Sequence, residues 1–242
     1  MANTFIFGQV SLEFVDRPIR IVVPFKYQGS KSRLCPILSP KERRLLALSM
    51  LADVLMAVSG LGRVTIISRP GFWADRDGEA PLDIPVPEVR ESELPLNDAL
   101  NHLIEEQGRS GWPEDLLIVM ADLALISEED VRTITRVSGD VVLSPGRGGG
   151  TNMMLIRDPR FRTCYQGLSF PKHRDLARSL GLHIGYYYSY LVGCDIDEPE
   201  DLAEIMIHGH GLSLEVVTAM GFELSEKSKP GHSLKKLSGH RP

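Results

Sequence analysis

Residues 141–157 read VVLSPGRGGGTNMMLIR, and they set the class expected of the whole chain. Apolar residues flank a loop, Ser144-Pro145-Gly146-Arg147-Gly148-Gly149-Gly150-Thr151, that holds four glycines in five positions. Without Cβ atoms, such a backbone can turn through positive φ and let a ligand approach its N–H groups. The loop is no P-loop, since no Lys-Ser/Thr closes it. Neither is it a dinucleotide fingerprint, which must open a helix that receives the phosphate. Directly after the loop stands Asn152-Met153-Met154-Leu155-Ile156, a short apolar run that reads as a strand. A glycine-rich hairpin that binds nothing is the plain alternative on these residues alone.

Strand-like and helix-like patterns alternate on both sides of this loop. Upstream, residues 19–25 form an apolar run broken only by Arg20, as a buried parallel strand would read. A polar loop with Lys26, Lys31, Ser32 and Arg33 comes next. Ser39-Pro40-Lys41-Glu42 is a capping box with proline at the first helical position. It opens a helix to about Val58 whose inner face carries Leu45, Leu48, Leu51, Ala52 and Leu55. Residues 63–68 make a second strand, and residues 69–95 a loop around a short edge strand near 84–86. An amphipathic helix spans 96–107. Residues 116–120, LLIVM, are the most apolar run and the central strand, with Asp122 directly after it. Ser127 opens another helix. Downstream of the glycine loop, 171–180 reads as helix and 183–188 as strand. A further helix begins at Pro199, capped near Asp197 or Glu198. The alternation predicts an α/β protein with a mostly parallel sheet.

The bulk numbers fit one such domain. The chain has 242 residues, 43% of them apolar and 24% charged, enough for a sizeable core in a soluble protein. We expect an N-terminal extension over 1–18, the domain over 19–222 and a mobile basic tail over 223–242. Net charge is −5. Five of the basic residues lie beyond residue 226, so the body carries 22 basic against 32 acidic side chains. An acidic body argues against nucleic acid as a partner. No apolar run approaches the roughly 20 residues of a membrane helix, and no secretory leader is read at the N-terminus. Cys35, Cys164 and Cys194 are odd in number and widely spaced, which points to a reducing cytoplasm and to neither a disulfide framework nor a zinc motif.

In an open α/β sheet, ligands bind beyond the carboxyl ends of the strands. Three groups fall there: Lys26, Lys31 and Arg33 after the first strand, Asp122 after the central one, and Asp195 with Asp197 after the last. Residues i and i+2 of an extended segment share a face, so the last two carboxylates stand together and repel unless a cation joins them. An oxygen-only donor set suits Mg²⁺, which is readily shared with substrate phosphates. Each group has a plainer reading, because acids at strand ends often cap helices and lysines in loops are usually only solvated. Jointly, a basic loop, a strand-end Asp, a glycine loop and Asp-x-Asp at one sheet edge make a site for a Mg²⁺-nucleoside triphosphate.

The order Ile21-Val22-Val23-Pro24-Phe25-Lys26, Lys31-Ser32-Arg33-Leu34, Met120-Ala121-Asp122-Leu123, Ser144 through Asn152 as SPGRGGGTN, Ser169-Phe170, His173, and Asp195-Ile196-Asp197-Glu198-Pro199-Glu200-Asp201-Leu202 resembles the archaeal 2-phospho-L-lactate guanylyltransferase family. The match covers residues 19–211. The resemblance implies a single-domain, glycosyltransferase-A-like (Rossmann-like) nucleotidyltransferase fold with a mixed sheet. It implies joining of GTP to 2-phospho-L-lactate, or in bacterial relatives phosphoenolpyruvate, with release of pyrophosphate and formation of lactyl-2-diphospho-5′-guanosine. That is a step toward the deazaflavin coenzyme F-420. It further implies a homodimer, Mg²⁺ held by Asp122, Asp195 and Asp197, and an acceptor subsite of Thr151, Ser169 and Gly167. The glycine stands one place late in Tyr165-Gln166-Gly167-Leu168-Ser169, which makes the backbone N–H of Gln166 the alternative donor. Ala124 replaces the proline that the family carries after the central strand. On this reading Gly148, Gly149, Gly150, Thr151 and Asn152 hold one of the two ligands, while Lys26, Lys31 and Arg33 neutralise the departing pyrophosphate. The attacking phosphate, with a second pKa near ~6, needs no general base, and His173 is read as structural. Two rivals are a molybdopterin guanylyltransferase-like enzyme, which would open with a glycine-rich loop after its first strand, and a non-catalytic nucleotide sensor on the same fold.

Overall fold

Continuous apolar runs make strands buried on both faces, and those strands set the architecture. The computed structural model describes residues 17–27, 29–71, 87–224 and 234–236. Seven strands form the main sheet: β1 (Ile19–Phe25), β2 (Arg63–Ser68), β3 (Glu88–Glu91), β4 (Asp115–Val119), β5 (Val141–Pro145), β6 (Thr151–Ile156) and β7 (Ile184–Tyr186). Their spatial order is β3-β2-β1-β4-β6-β5-β7. Every neighbouring pair is parallel except those made by β6, which runs against both β4 and β5. The glycine loop is therefore the turn of a β5–β6 hairpin, and the reversal brings Thr151 to the same sheet edge as the end of β4.

Side chains alternate between the two faces, as a strand's period of two requires. Val23 and Leu117 join one core with α1 (Pro40–Val58) and α3 (Glu128–Arg136), while Val22 and Leu116 join another with α2 (Leu96–Arg109) and α4 (Ser169–Ser179). The capping boxes of Ser39 with Glu42 and of Ser127 with Asp130 start α1 and α3. A third cluster buries Leu46 and Met50 of α1 against α6 (Leu202–His208) and α7 (Leu212–Ala219). That is why α1 is buried well beyond the one stripe expected of it.

Several boundaries differ from the sequence reading. The edge strand is β3 at Glu88–Glu91, and the expected position at 84–86 lies outside the described residues, as does 1–16 of the N-terminal extension. Helix α4 starts at Ser169, two residues early, and Pro171 is tolerated there because the N–H groups of a first turn have no helical acceptor. The four-residue α5 (Tyr190–Gly193) and α7 carry no expectation from the sequence. Within the stretch read as tail, β9 (Leu234–Lys236) pairs antiparallel with β8 (Phe222–Leu224), and Lys236 Nζ reaches Glu42 Oε1 at 2.6 Å. No helix among the described residues is long and apolar enough to cross a membrane.

Candidate active site

The loop after β1 folds back so that one lysine enters the interior. Lys31 adopts a left-handed backbone, φ 54°, at the start of a single 3-10 turn over Ser32–Leu34. Its side chain is only 8% exposed, and Nζ donates to Asp122 Oδ2 and to Asp197 Oδ1, each at 2.8 Å. Burial alone would lower the pKa of this ammonium. The carboxylates of Asp122 and Asp197 outweigh that and hold it above the ordinary lysine value. Asp122 leaves the end of β4, and its carbonyl accepts the N–H of Ile196 at 3.3 Å. This bond lays the 195–197 segment alongside Asp122. Ile196 is fully buried in the third cluster, so the two flanking aspartates face the site.

Asp195 does not reach Lys31. Its Oδ1 accepts from Asn152 Nδ2 at 3.2 Å, and Asn152 also donates to the carbonyl of Val192 at 2.7 Å. Burial lifts the Asp195 carboxyl above its usual range; the Asn152 bond opposes this, while the charges of Asp122 and Asp197 add to it. The three acids converge, yet not as a ready-made metal centre: among the described residues no cluster of three or more His, Cys, Asp or Glu side chains is poised for a metal ion. Three bare carboxylates at one point would repel, and the Lys31 ammonium relieves that for two of them.

On one side of this group lies a cavity of about 370 Å³, walled by Pro24 and Lys26 at the end of β1, Ser68 and Arg69 at the end of β2, and Met120 and Asp122 just past β4. Lys26 is exposed at its rim. Arg33 is 67% exposed and lies 3.9 Å from Asp197 and 3.3 Å from Glu198. On the other side stands the β5–β6 turn. Gly149 has φ +79°, and a Cβ there would meet Leu168 at 2.9 Å; a Cβ on Gly146 would strike the Asn152 amide at 2.5 Å. These two glycines are thus required by backbone shape and by a close approach. The N–H of Gly149 turns inward to the Gly146 carbonyl at 3.0 Å, and its carbonyl accepts from Phe170 N–H at 3.0 Å, which docks α4 on the loop.

Thr151 and Ser169 come together as expected, with their hydroxyl oxygens 3.3 Å apart. Three other residues read as ligand contacts have protein partners or lie at the surface. The Gln166 N–H is spent on the Cys164 carbonyl at 3.0 Å, and Gly167 is exposed at φ +57°. Asn152 gives its amide N–H groups to the 192–195 segment and so supports Asp195. His173 is fully buried, with both ring nitrogens occupied.

The sequence reading missed Asp201. Its Oδ2 accepts the N–H groups of Asp197 (2.9 Å) and Glu198 (2.7 Å), while Oδ1 accepts Arg147 Nη2 at 2.5 Å. One carboxylate therefore ties the Asp195–Asp197 segment to the glycine loop. The cap pattern from Glu198 to Asp201 was visible; the partner 54 residues away was not.

A sequence profile described as guanylyl transferase CofC like matches residues 19–236. The chain belongs to that family. A 2-phospho-L-lactate guanylyltransferase of Methanothrix thermoacetophila is 53% identical over 217 residues, covering 89% of this chain and 95% of the relative. Proteins of the same name from Methanosarcina mazei and Archaeoglobus fulgidus are 39% and 37% identical, over 82% and 88% of this chain and 91% and 95% of theirs. Membership of the family makes this chain a nucleotidyltransferase. Solved structures agree on the fold. A putative nucleotide-diphospho-sugar transferase from Desulfovibrio desulfuricans superposes with a TM-score of 0.64 at 14% identity, covering 84% of this chain and 94% of that one. A nucleotidyl transferase from Methanothermobacter gives 0.57 at 17% identity, over 79% and 97%.

Proposed function

We propose that this chain joins GTP to 2-phospho-L-lactate, or to a related phosphorylated three-carbon acid such as phosphoenolpyruvate. The products would be pyrophosphate and lactyl-2-diphospho-5′-guanosine, within the assembly of coenzyme F-420. The observation that carries this reading is the position of the Lys31–Asp122–Asp197 group. Lys31 and Asp122 line a cavity at the carboxyl ends of β1, β2 and β4, and β6, the neighbour of β4, brings Thr151 to the same sheet edge, so two anionic substrates can meet there. The relatives' names supply 2-phospho-L-lactate and the guanylyl group.

A phosphate oxygen of the acid attacks the α-phosphorus of GTP, the α–β bridging bond breaks, and pyrophosphate departs with its electron pair. The acid's phosphate is mostly dianionic at neutral pH, given a second pKa of about 6, so the step needs no base. The protein's work is alignment and charge compensation. Lys31 and Lys26, with Arg33 at the rim, face the charge that builds on pyrophosphate, and Thr151 and Ser169 hold the acid. Oxygen donors alone suit a hard divalent cation, and the one buried ammonium neutralises only part of the charge of three neighbouring carboxylates. Asp122, Asp195 and Asp197 would hold Mg²⁺, which when bound offsets phosphate charge and polarises the α-phosphoryl group.

A homodimer belongs to the same reading, supported by the exposed Leu168, Tyr188 and Tyr190 near the glycine loop; light scattering on the purified protein would report it. Three free cysteines suit a reducing, cytoplasmic setting. The deciding assay pairs each of four nucleoside triphosphates with phospholactate, phosphoenolpyruvate and 3-phosphoglycerate and measures pyrophosphate. Release from GTP that requires phospholactate or phosphoenolpyruvate is expected. Tight GTP binding with no acceptor-dependent release would favour a sensor and sink the proposal.

A further inference from the structure

Behind the paired hydroxyls of Thr151 and Ser169 sits a residue with no surface of its own. His173, in the second turn of α4, is 0% exposed and is enclosed by Phe161 and Tyr165, whose ring centroids lie 6.1 and 4.9 Å away. The backbone N–H of Cys164 donates to its Nε2 at 2.7 Å, and its Nδ1 lies 2.8 Å from Thr151 Oγ1. A backbone N–H can only donate, so Nε2 must present a lone pair. A neutral ring then carries its proton on Nδ1, and Thr151 Oγ1 must accept it. Burial in this apolar shell lowers the imidazole's pKa to about 4, which keeps the ring neutral at physiological pH.

A hydroxyl has one proton and two lone pairs. At Thr151 one lone pair faces His173 Nδ1–H and the other the Ser169 hydroxyl, 3.3 Å away. Thr151 is 2% exposed and Ser169 3%, and with both lone pairs of Thr151 taken its proton is the one group of the three side chains left for a further acceptor. We propose that His173 is a positioning residue of the acceptor subsite, which fixes Thr151 as an obligate donor and so selects an anionic oxygen of the incoming acid. The inference rests on the assignment of Thr151 and Ser169 to the phosphorylated acid. It accounts for why a histidine is placed here: an apolar side chain would fill the volume but leave the Thr151 hydroxyl free to rotate and the Cys164 N–H unpaired.

Two substitutions separate the halves of this arrangement. The amide nitrogen of asparagine can stand near the place of Nδ1, whereas the longer glutamine amide reaches toward that of Nε2. His173→Asn therefore keeps a donor toward Thr151 and loses the Cys164 contact; His173→Gln does the reverse. Loss of one hydrogen bond that orders the subsite corresponds to about tenfold in affinity. The KM for the phosphorylated acid should rise by about that factor in His173→Gln and stay within about threefold of wild type in His173→Asn, with the KM for GTP unchanged in both. Calorimetry of phosphoenolpyruvate binding to the nucleotide-free protein should show the same split. Parallel rises in both KM values that track a falling Tm would overturn the inference, and so would a tenfold rise for the acid in His173→Asn. If His173→Gln fails to fold, the asparagine variant alone decides. A wild-type protein that binds the acid without turning over would defeat the proposed function, while the calorimetric comparison would still judge His173.

Discussion

Lys31 shows how much one side chain must do here. A nearly buried ammonium is tolerable only because two carboxylates face it, and removing either partner leaves charge uncompensated in a shielded place. Asp122→Asn and Asp197→Asn should each lower turnover on the order of 10²-fold or more, with the circular dichroism spectrum retained. Near-normal turnover in either variant would take that residue out of the reaction. His173 makes a separate prediction about stability. Its pKa is lowered from 6.5 to about 4 by burial. Between those values the unfolded chain takes up a proton that the folded chain refuses, so acid favours unfolding. The contribution is full above about pH 6.5 and is lost as pH falls toward 4, by on the order of 3 kcal/mol. Melting temperature measured from pH 7 to 4.5 should therefore drop more steeply in the wild type than in His173→Asn. Parallel curves would show that another group governs the slope.

At the scale of elements, the site is two loops held in register. The β5–β6 turn and the 195–201 segment meet through Arg147 and Asp201, and α4 hangs on the turn through the Phe170 N–H. Arg147 is 43% exposed, so its ion pair adds at most about 1 kcal/mol to folding. Arg147→Met should accordingly leave the melting temperature nearly unchanged and lower kcat about tenfold by loosening the two loops against each other. A drop in melting temperature with normal kcat would assign Arg147 to stability alone. Elements with local signals were legible in the sequence: the capping box of α1, the opening of α3 at Ser127, the strands β1, β2 and β4, and the turn itself. Helix α7 was not, because the N–H groups of Leu212 and Ser213 are capped by Asp53 of α1, 159 and 160 residues away. The early start of α4 has the same kind of cause, a bond to a distant carbonyl.

Across the whole molecule, an acidic body carries a small basic rim at one sheet edge, formed by Lys26, Arg33 and Arg69. Exposed charges of this kind act at a range that salt shortens. Arg33→Ala should raise the KM for GTP at low ionic strength, and the gap from wild type should close as salt is added. A gap indifferent to salt would mean that Arg33 matters through packing. The α/β class, the buried strands, the glycine turn and the identity of the convergent acids were all present in the order of residues, because period, composition and residue type along short stretches are enough to specify them. Three-dimensional packing alone determined that β6 runs against its neighbours, that Lys31 enters between Asp122 and Asp197, that Asn152 supports Asp195, and that Cys164 and Thr151 fix the proton of His173. Each of those depends on partners far apart in the chain. Their pairing is settled by what remains unsatisfied once the layers have packed, and no local pattern records that.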